Sequence, residues 1–275
     1  MCQLLGMSSN AKIDISFALE GFHRRGGETD SHIDGWGVAF YEGDSWRLFI
    51  DDHPSASSSY AQFVRDFRAK SCNAIAHIRR ATQGCVKLSN THPFRRELWG
   101  KEWIFAHNGN LSHVPQCEAP RFLPIGECDS ERAFCWLLDN IQRRFSSPPS
   151  QDALFELIQD LAGELASAGV FNFLLGCEDW LMAHCTTKLW YLVRKAPFAT
   201  AHLVDVDLAM DLSSLNQPKD RMVVIASHPL TDNEAWTPFQ PNQMIVFQQG
   251  QVIAELNTRS VAVVDSEVAI DLSVQ

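Results

Sequence analysis

The sequence predicts an α+β fold in which β-sheets stack on one another and helices pack outside them. Two consecutive amphipathic stretches lie in the middle of the chain, a long series of short strand-like runs follows them, and further runs precede them. That order of elements suits stacked sheets with helices on the outer faces. Apolar residues make up 45% and charged residues 20% of the 275 positions, an ordinary globular composition that excludes a disordered chain. A chain of this length buries roughly three quarters of its unfolded surface and needs no covalent staples. Residues 1–275 are read as a single domain. The break at Ser146-Ser147-Pro148-Pro149-Ser150 separates two helices, and the second half has few helices of its own.

A first strand is expected over residues 3–7, almost at the terminus. Residues 13–24 carry apolar side chains at 13, 15, 17, 18, 19 and 22 and read as a helix ending at Gly26-Gly27. Residues 35–41 and 46–50 read as a hairpin around Glu42-Gly43-Asp44-Ser45. A Ser-rich start favours a helix over 57–67. The apolar runs 73–79 and 103–107 read as buried strands, the second leading straight into Asn108-Gly109. Residues 131–144 and 152–168 have helical periodicity and are parted by the two prolines. Strands then follow over 171–177, 181–185, 189–193, 204–208, 222–227, 243–248 and 251–256, with Gln249-Gly250 as a hairpin turn.

Acidic residues outnumber basic ones by 33 to 23, a net charge of −10. This balance argues against a nucleic-acid partner, which selects for a basic face. The eight cysteines, at 2, 72, 85, 117, 128, 135, 177 and 185, form no Cys-x-x-Cys and no zinc-finger spacing, so reduced, buried thiols are expected and no metal. The N-terminus lacks the basic and apolar regions of a signal peptide. No apolar run approaches the ~18–20 residues that span a bilayer. A soluble, cytoplasmic protein without a membrane partner is expected.

Cys2 stands apart from the other thiols. Removal of Met1 would leave a thiol and a free α-amine on one residue, with reference pKa values of about 8.5 and about 7.7–8.0. The amine can then take the thiol proton, so nucleophile and base reside together. The plainer reading is an ordinary residue of a buried first strand. His107-Asn108-Gly109-Asn110 offers an amide N–H₂ beside a glycine N–H, two donors suited to an oxyanion; a simple Asn-Gly turn is the alternative. Arg79 follows a strand end, where a guanidinium can clamp a carboxylate, and an Arg-Arg pair on a solvated face is the alternative. His92 lies in Asn90-Thr91-His92-Pro93-Phe94, a bland turn by default. Asp129 precedes a helix, either as an N-cap or as a carboxylate that holds an ammonium.

Cys2, Arg79-x-x-Thr82, His92-Pro93, His107-Asn108-Gly109 and Asp129 occur in that order. Together with Asp34-Gly35-Trp36-Gly37-Val38-Ala39-Phe40, residues 90–99 and residues 225–230 with Thr231 and Trp236, this pattern resembles the class II glutamine amidotransferase domain of the N-terminal-nucleophile hydrolases. The whole chain is similar to the stand-alone members. The resemblance implies a four-layer αββα sandwich and hydrolysis of glutamine, or another γ-glutamyl compound, through a Cys2 thioester. It implies that Cys2 is the nucleophile and that Asn108 and the Gly109 N–H form the oxyanion hole. Arg79 and Thr82 would bind the substrate α-carboxylate, and Asp129, with the Gly109 carbonyl, the α-ammonium. His92 would lie near the substrate pocket. No cofactor is implied. Synthase members often have Trp and His where this chain has Arg80 and Gln83, and they carry a second domain that accepts ammonia. No phosphate loop, phosphosugar domain, flavin motif or iron–sulfur motif follows residue 131 here. The departures at Arg80 and Gln83 favour a γ-glutamyl amide of a larger amine as substrate. A glutaminase subunit serving a separate synthase chain, a homo-oligomer, and a catalytically silent glutamine-binding protein are the other readings.

Overall fold

Two antiparallel sheets stack face to face, and each carries a pair of helices on its outer side. The computed structural model describes residues 2–258. In chain order the elements are β1 (Gln3–Asp14), α1 (Ser16–Phe22), β2 (Trp36–Tyr41), β3 (Trp46–Asp51), α2 (Ser59–Phe67), β4 (Lys70–Ile78), β5 (Phe94–Leu98), β6 (Lys101–Leu111), α3 (Asp129–Arg144), α4 (Gln151–Ala166), β7 (Gly169–Cys177), β8 (Trp180–Cys185), β9 (Trp190–Lys195), β10 (Thr200–His202), β11 (Ala209–Asp211), β12 (Arg221–Ala226), β13 (Thr237–Pro238), β14 (Gln243–Gln248) and β15 (Gln251–Asn257). The first sheet runs β13-β9-β12-β1-β4-β2-β3 and the second β15-β14-β8-β7-β6-β5, with β10-β11 as a separate ribbon.

Alternation along the strands builds the layers. In β1, Leu4 joins the core between the sheets, whereas Leu5 and Met7 face outward beneath α1 and α2. Val223 and Ile225 of β12 point inward, and Met222 and Val224 outward. In β6, Ile104 and Ala106 point inward, whereas Trp103 and Phe105 pack against Phe134 of α3 and the Phe155 side of α4. The expected four-layer αββα sandwich is the architecture found. Ser58 caps α2 by accepting from Ala61 N at 3.1 Å, and Ser150 caps α4 by accepting from Ala153 N at 3.4 Å. No helix among the described residues is long and apolar enough to cross a membrane.

Several expectations differ from the structure, and the expected burial of the scattered thiols fails at Cys85, which is exposed. The first strand does not stop at Met7. A bulge between Ser8 and Ile13 lets it re-pair with β4 as far as Asp14, so the helix begins only at Ser16. Residues 204–208 are not a strand: they join β10 to β11, and Asp205 turns away to an ion pair with Arg25 at 2.8 Å. Strand β5 was not expected, because Arg95, Arg96 and Glu97 mask the apolar ends Phe94 and Leu98; it pairs with β6 through a Trp99-Gly100 turn at φ 60 and 72.

Candidate active site

Strand alternation carries several polar side chains to one end of the space between the sheets. Asn108 continues the inward series Ile104, Ala106 of β6, and His77 continues Ile75 of β4. Ser227 lies one step beyond β12, in line with Val223 and Ile225, and Cys2 lies one step before β1, in line with Leu4. The Asn108-Gly109 pair is no turn. It sits within β6, which pairs with β7 as far as Leu111↔Gly169.

The Cys2 Sγ lies 3.3 Å from the Arg80 N–H and 3.4 Å from the Arg80 carbonyl. Burial pushes the thiol above its ordinary pKa, the Arg80 N–H and the Arg79 cation pull it down, and the Asp129 carboxylate raises it. Arg79 and Asp129 therefore both lie within electrostatic reach of the sulfur. The Asn108 Nδ2 donates to Ser227 Oγ at 3.1 Å, and Ser227 Oγ also accepts from Leu4 N at 3.0 Å. Asn108 Oδ1 is buried without a partner, and its backbone carbonyl accepts from Asn172 Nδ2 at 2.9 Å. Glycine is required at 109, because a Cβ there would come within 1.8 Å of the Val170 carbonyl oxygen.

Asp129 is the first helical residue of α3 and not its N-cap, a position taken by Cys128. Its Oδ2 instead accepts from Leu111 N at 2.8 Å, fixing the carboxylate at the end of β6. Arg79, 2% exposed, donates to the carbonyls of Gln83 at 3.0 Å, Gly84 and Cys85 at 3.3 Å and Asp34 at 3.5 Å. It thus organises the loop that follows it, with Thr82 exposed on that loop. The loop is held from outside as well. Gln83 Nε2 donates to Asn110 Oδ1 at 2.8 Å and to the Leu111 carbonyl at 2.9 Å, and Ala81 N donates to Asp34 Oδ2 at 2.7 Å. Gly84 adopts φ +76 against the Asn90 side chain, which donates to the Cys85 carbonyl.

His92 stacks on His77, ring centroids 4.1 Å apart, and packs against Phe94. Neither ring nitrogen of His92 has a hydrogen-bond partner, and burial holds its pKa well below the usual value. Burial likewise lowers His77 to about 3. His77 Nε2 donates to the His107 carbonyl at 3.0 Å. The ring of His107 donates from Nε2 to the Val170 carbonyl at 3.0 Å, so its Nδ1 accepts from the Ser130 hydroxyl at 2.8 Å. A layer of neutral imidazoles therefore backs the site.

Sequence reading did not single out Ser227 as a contact, nor the tethering contacts of Gln83 and Asp34. The inward series Val223, Ile225, Ser227 was the available signal for the first. The family model for class II glutamine amidotransferases matches residues 1–270. An Escherichia coli protein named "Putative glutamine amidotransferase YafJ" is 48% identical over 252 residues, covering 91% of this chain and 99% of that protein. A crystal structure from Pseudomonas aeruginosa PA01, described as a predicted glutamine amidotransferase, shares 40% identity at a TM-score of 0.73 over 92% of this chain and 100% of that one. The glutamine phosphoribosylpyrophosphate amidotransferase of B. subtilis shares the fold alone, at 16% identity and a TM-score of 0.56 over 94% of this chain and 49% of that one. On the whole-length match and the shared sandwich, the chain belongs to the class II glutamine amidotransferase family.

Proposed function

We propose that the chain hydrolyses a γ-glutamyl amide, glutamine or a compound built on its γ-glutamyl group, through a thioester on Cys2. One observation carries this reading: the Cys2 Sγ lies 3.3 Å from the Arg80 N–H, immediately after Arg79, at the end of the space between the sheets. Asn108 adds support, being tied through Ser227 to the backbone two residues beyond Cys2. Once Met1 is removed, the Cys2 α-amine takes the thiol proton as sulfur attacks the amide carbon. The oxyanion is held by the Asn108 side-chain amide and the Gly109 N–H. The protonated amine returns its proton to the leaving nitrogen, ammonia or an amine departs, and water attacks the thioester to release the acid. The Asp129 carboxylate, with the Gly109 carbonyl, receives the substrate α-ammonium. Arg79, with the Thr82 hydroxyl, receives the α-carboxylate by exchanging some of its loop carbonyls for it. His92, neutral and stacked on His77, shapes the wall behind Arg79.

The test combines intact mass with glutamate release by the purified chain, from glutamine and from a panel of γ-glutamyl amides and peptides. A chain beginning at Cys2, with glutamate released and turnover lost in Cys2→Ala, is expected. Turnover by Cys2→Ala, or full activity in a homogeneous sample that retains Met1, overturns the reading. Cleavage that begins only when cell extract is supplied replaces it with a glutaminase subunit that needs a partner.

A further inference from the structure

Ser227 is 1% exposed and lies at the junction of the two sheets. Its oxygen accepts from Leu4 N and from Asn108 Nδ2. Among the described residues its own hydroxyl proton finds no acceptor, while Asn108 Oδ1, an acceptor, has no donor. Exchanging the oxygen and nitrogen of the Asn108 amide removes both faults with one bond, because the hydroxyl then donates to Oδ1. The buried atom left without a partner becomes the N–H₂. An unpartnered acceptor would repel a developing oxyanion, whereas an unpartnered donor is what it needs.

We infer that Ser227 is a positioning residue for the oxyanion hole: its hydroxyl, anchored by the Leu4 N–H, holds the Asn108 carbonyl so that the amide N–H₂ faces the reacting carbonyl oxygen. The inference rests on the Cys2 thioester reading. It adds a residue that touches neither substrate nor nucleophile. The same hydroxyl bonds to the strand that carries Cys2 and to the side chain that stabilises the oxyanion, so it sets the two in register.

Asn108→Ala should lower kcat by about 10²–10³. Ser227→Ala should lower it by a smaller factor, about 10- to 100-fold, with KM nearly unchanged, since the donor remains but is free to turn. The double variant should be no slower than Asn108→Ala alone, because both changes remove one device. Alkylation of Cys2 by iodoacetamide, a displacement that forms no oxyanion, should proceed at the wild-type rate in Ser227→Ala. Ser227→Thr, which keeps a hydroxyl, should restore kcat. Should Ser227→Ala not fold, Ser227→Cys, of similar size and a weak donor, carries the same comparison. A loss in Asn108→Ala with none in Ser227→Ala refutes the inference alone. So does a Ser227→Ala penalty that adds in full to that of Asn108→Ala, or one matched by slowed alkylation. Activity unaffected by either change refutes the oxyanion role of Asn108 and the inference with it, whereas turnover by Cys2→Ala refutes the thioester reading itself.

Discussion

Lowering the pH from 7.5 to 5.5 should destabilise the fold through its buried histidines. Burial holds His77 at about 3 and His184 at about 4, against about 6.5 in an unfolded chain. The folded state therefore binds fewer protons than the unfolded state anywhere between those values. Stability is complete above the unfolded pKa, begins to fall as pH drops through about 6.5, and is fully lost for each residue below its folded pKa. At pH 5.5 each residue costs about 1.4 kcal/mol, or about 3 kcal/mol for the pair, a sizeable share of the 5–15 kcal/mol typical of a folded domain. The choice of pH matters: both folded values lie well below 5.5, so the result does not depend on their exact position. Burial lowers His92 and His107 as well and adds in the same direction. His53 and His202, raised by Asp51 and Asp232, act in the opposite sense, but through solvent-exposed contacts that water screens. Urea unfolding followed by tryptophan fluorescence at pH 7.5, 6.5 and 5.5 reads the effect. His184→Asn should remove about half of the His77–His184 share of the dependence. Equal stability at 7.5 and 5.5, or an unchanged pH dependence in His184→Asn, would refute the reasoning.

An electrophilic glutamine analogue should label Cys2 alone among the eight cysteines. Burial pushes Cys128, Cys135 and Cys185 up to about 11 and Cys177 to about 12, which leaves them inert; peptide mapping that places the label on Cys72 or Cys128 would defeat the assignment. Asp129→Ala should weaken substrate use by roughly 1.5–3 kcal/mol in kcat/KM and abolish discrimination against an analogue lacking the α-amino group; equal wild-type kcat/KM for glutamine and that analogue would show that Asp129 has no such role. Gln83→Ala should release the 79–85 loop from Asn110 and Leu111, raising KM more than it lowers kcat and speeding proteolysis within the loop; unchanged KM and cleavage would mean that the tether is not needed.

Much of the scaffold could be read from periodicity, because strands buried on one or both faces need alternating or continuous apolar runs. Residues 243–248, for example, were expected as a strand with the bounds that β14 has. Ends of elements were less legible. Asn108 and Gly109 are turn formers by local preference, yet β7 pairs alongside and carries the strand through them. Strand β5 hides its role because it is an edge strand in which Arg95 is exposed and Arg96, between Phe94 and Leu98, is accommodated by an ion pair with Glu131 of α3. In the site, Asp129 was identified as a chemical group, but its partner, the N–H of Leu111, depends on how α3 packs against β6. Ser227 shows the limit most clearly. The alternation that turns it inward is present in the sequence, but Leu4, its hydrogen-bond partner, is 223 residues away. Only the sheet order reveals that β1 and β12 are neighbours.

The place of β1 in the middle of its sheet makes that sheet depend on a long-range pairing. One neighbour of β1, β12, comes from far along the chain. Until β12 docks, the Leu5↔Ala226 side of β1 is uncovered, and Asn108 lacks the Ser227 contact. The proposed nucleophile is therefore joined to the proposed oxyanion donor only in a completed fold, and a partly assembled chain has the thiol without the partner that would make it reactive toward amides.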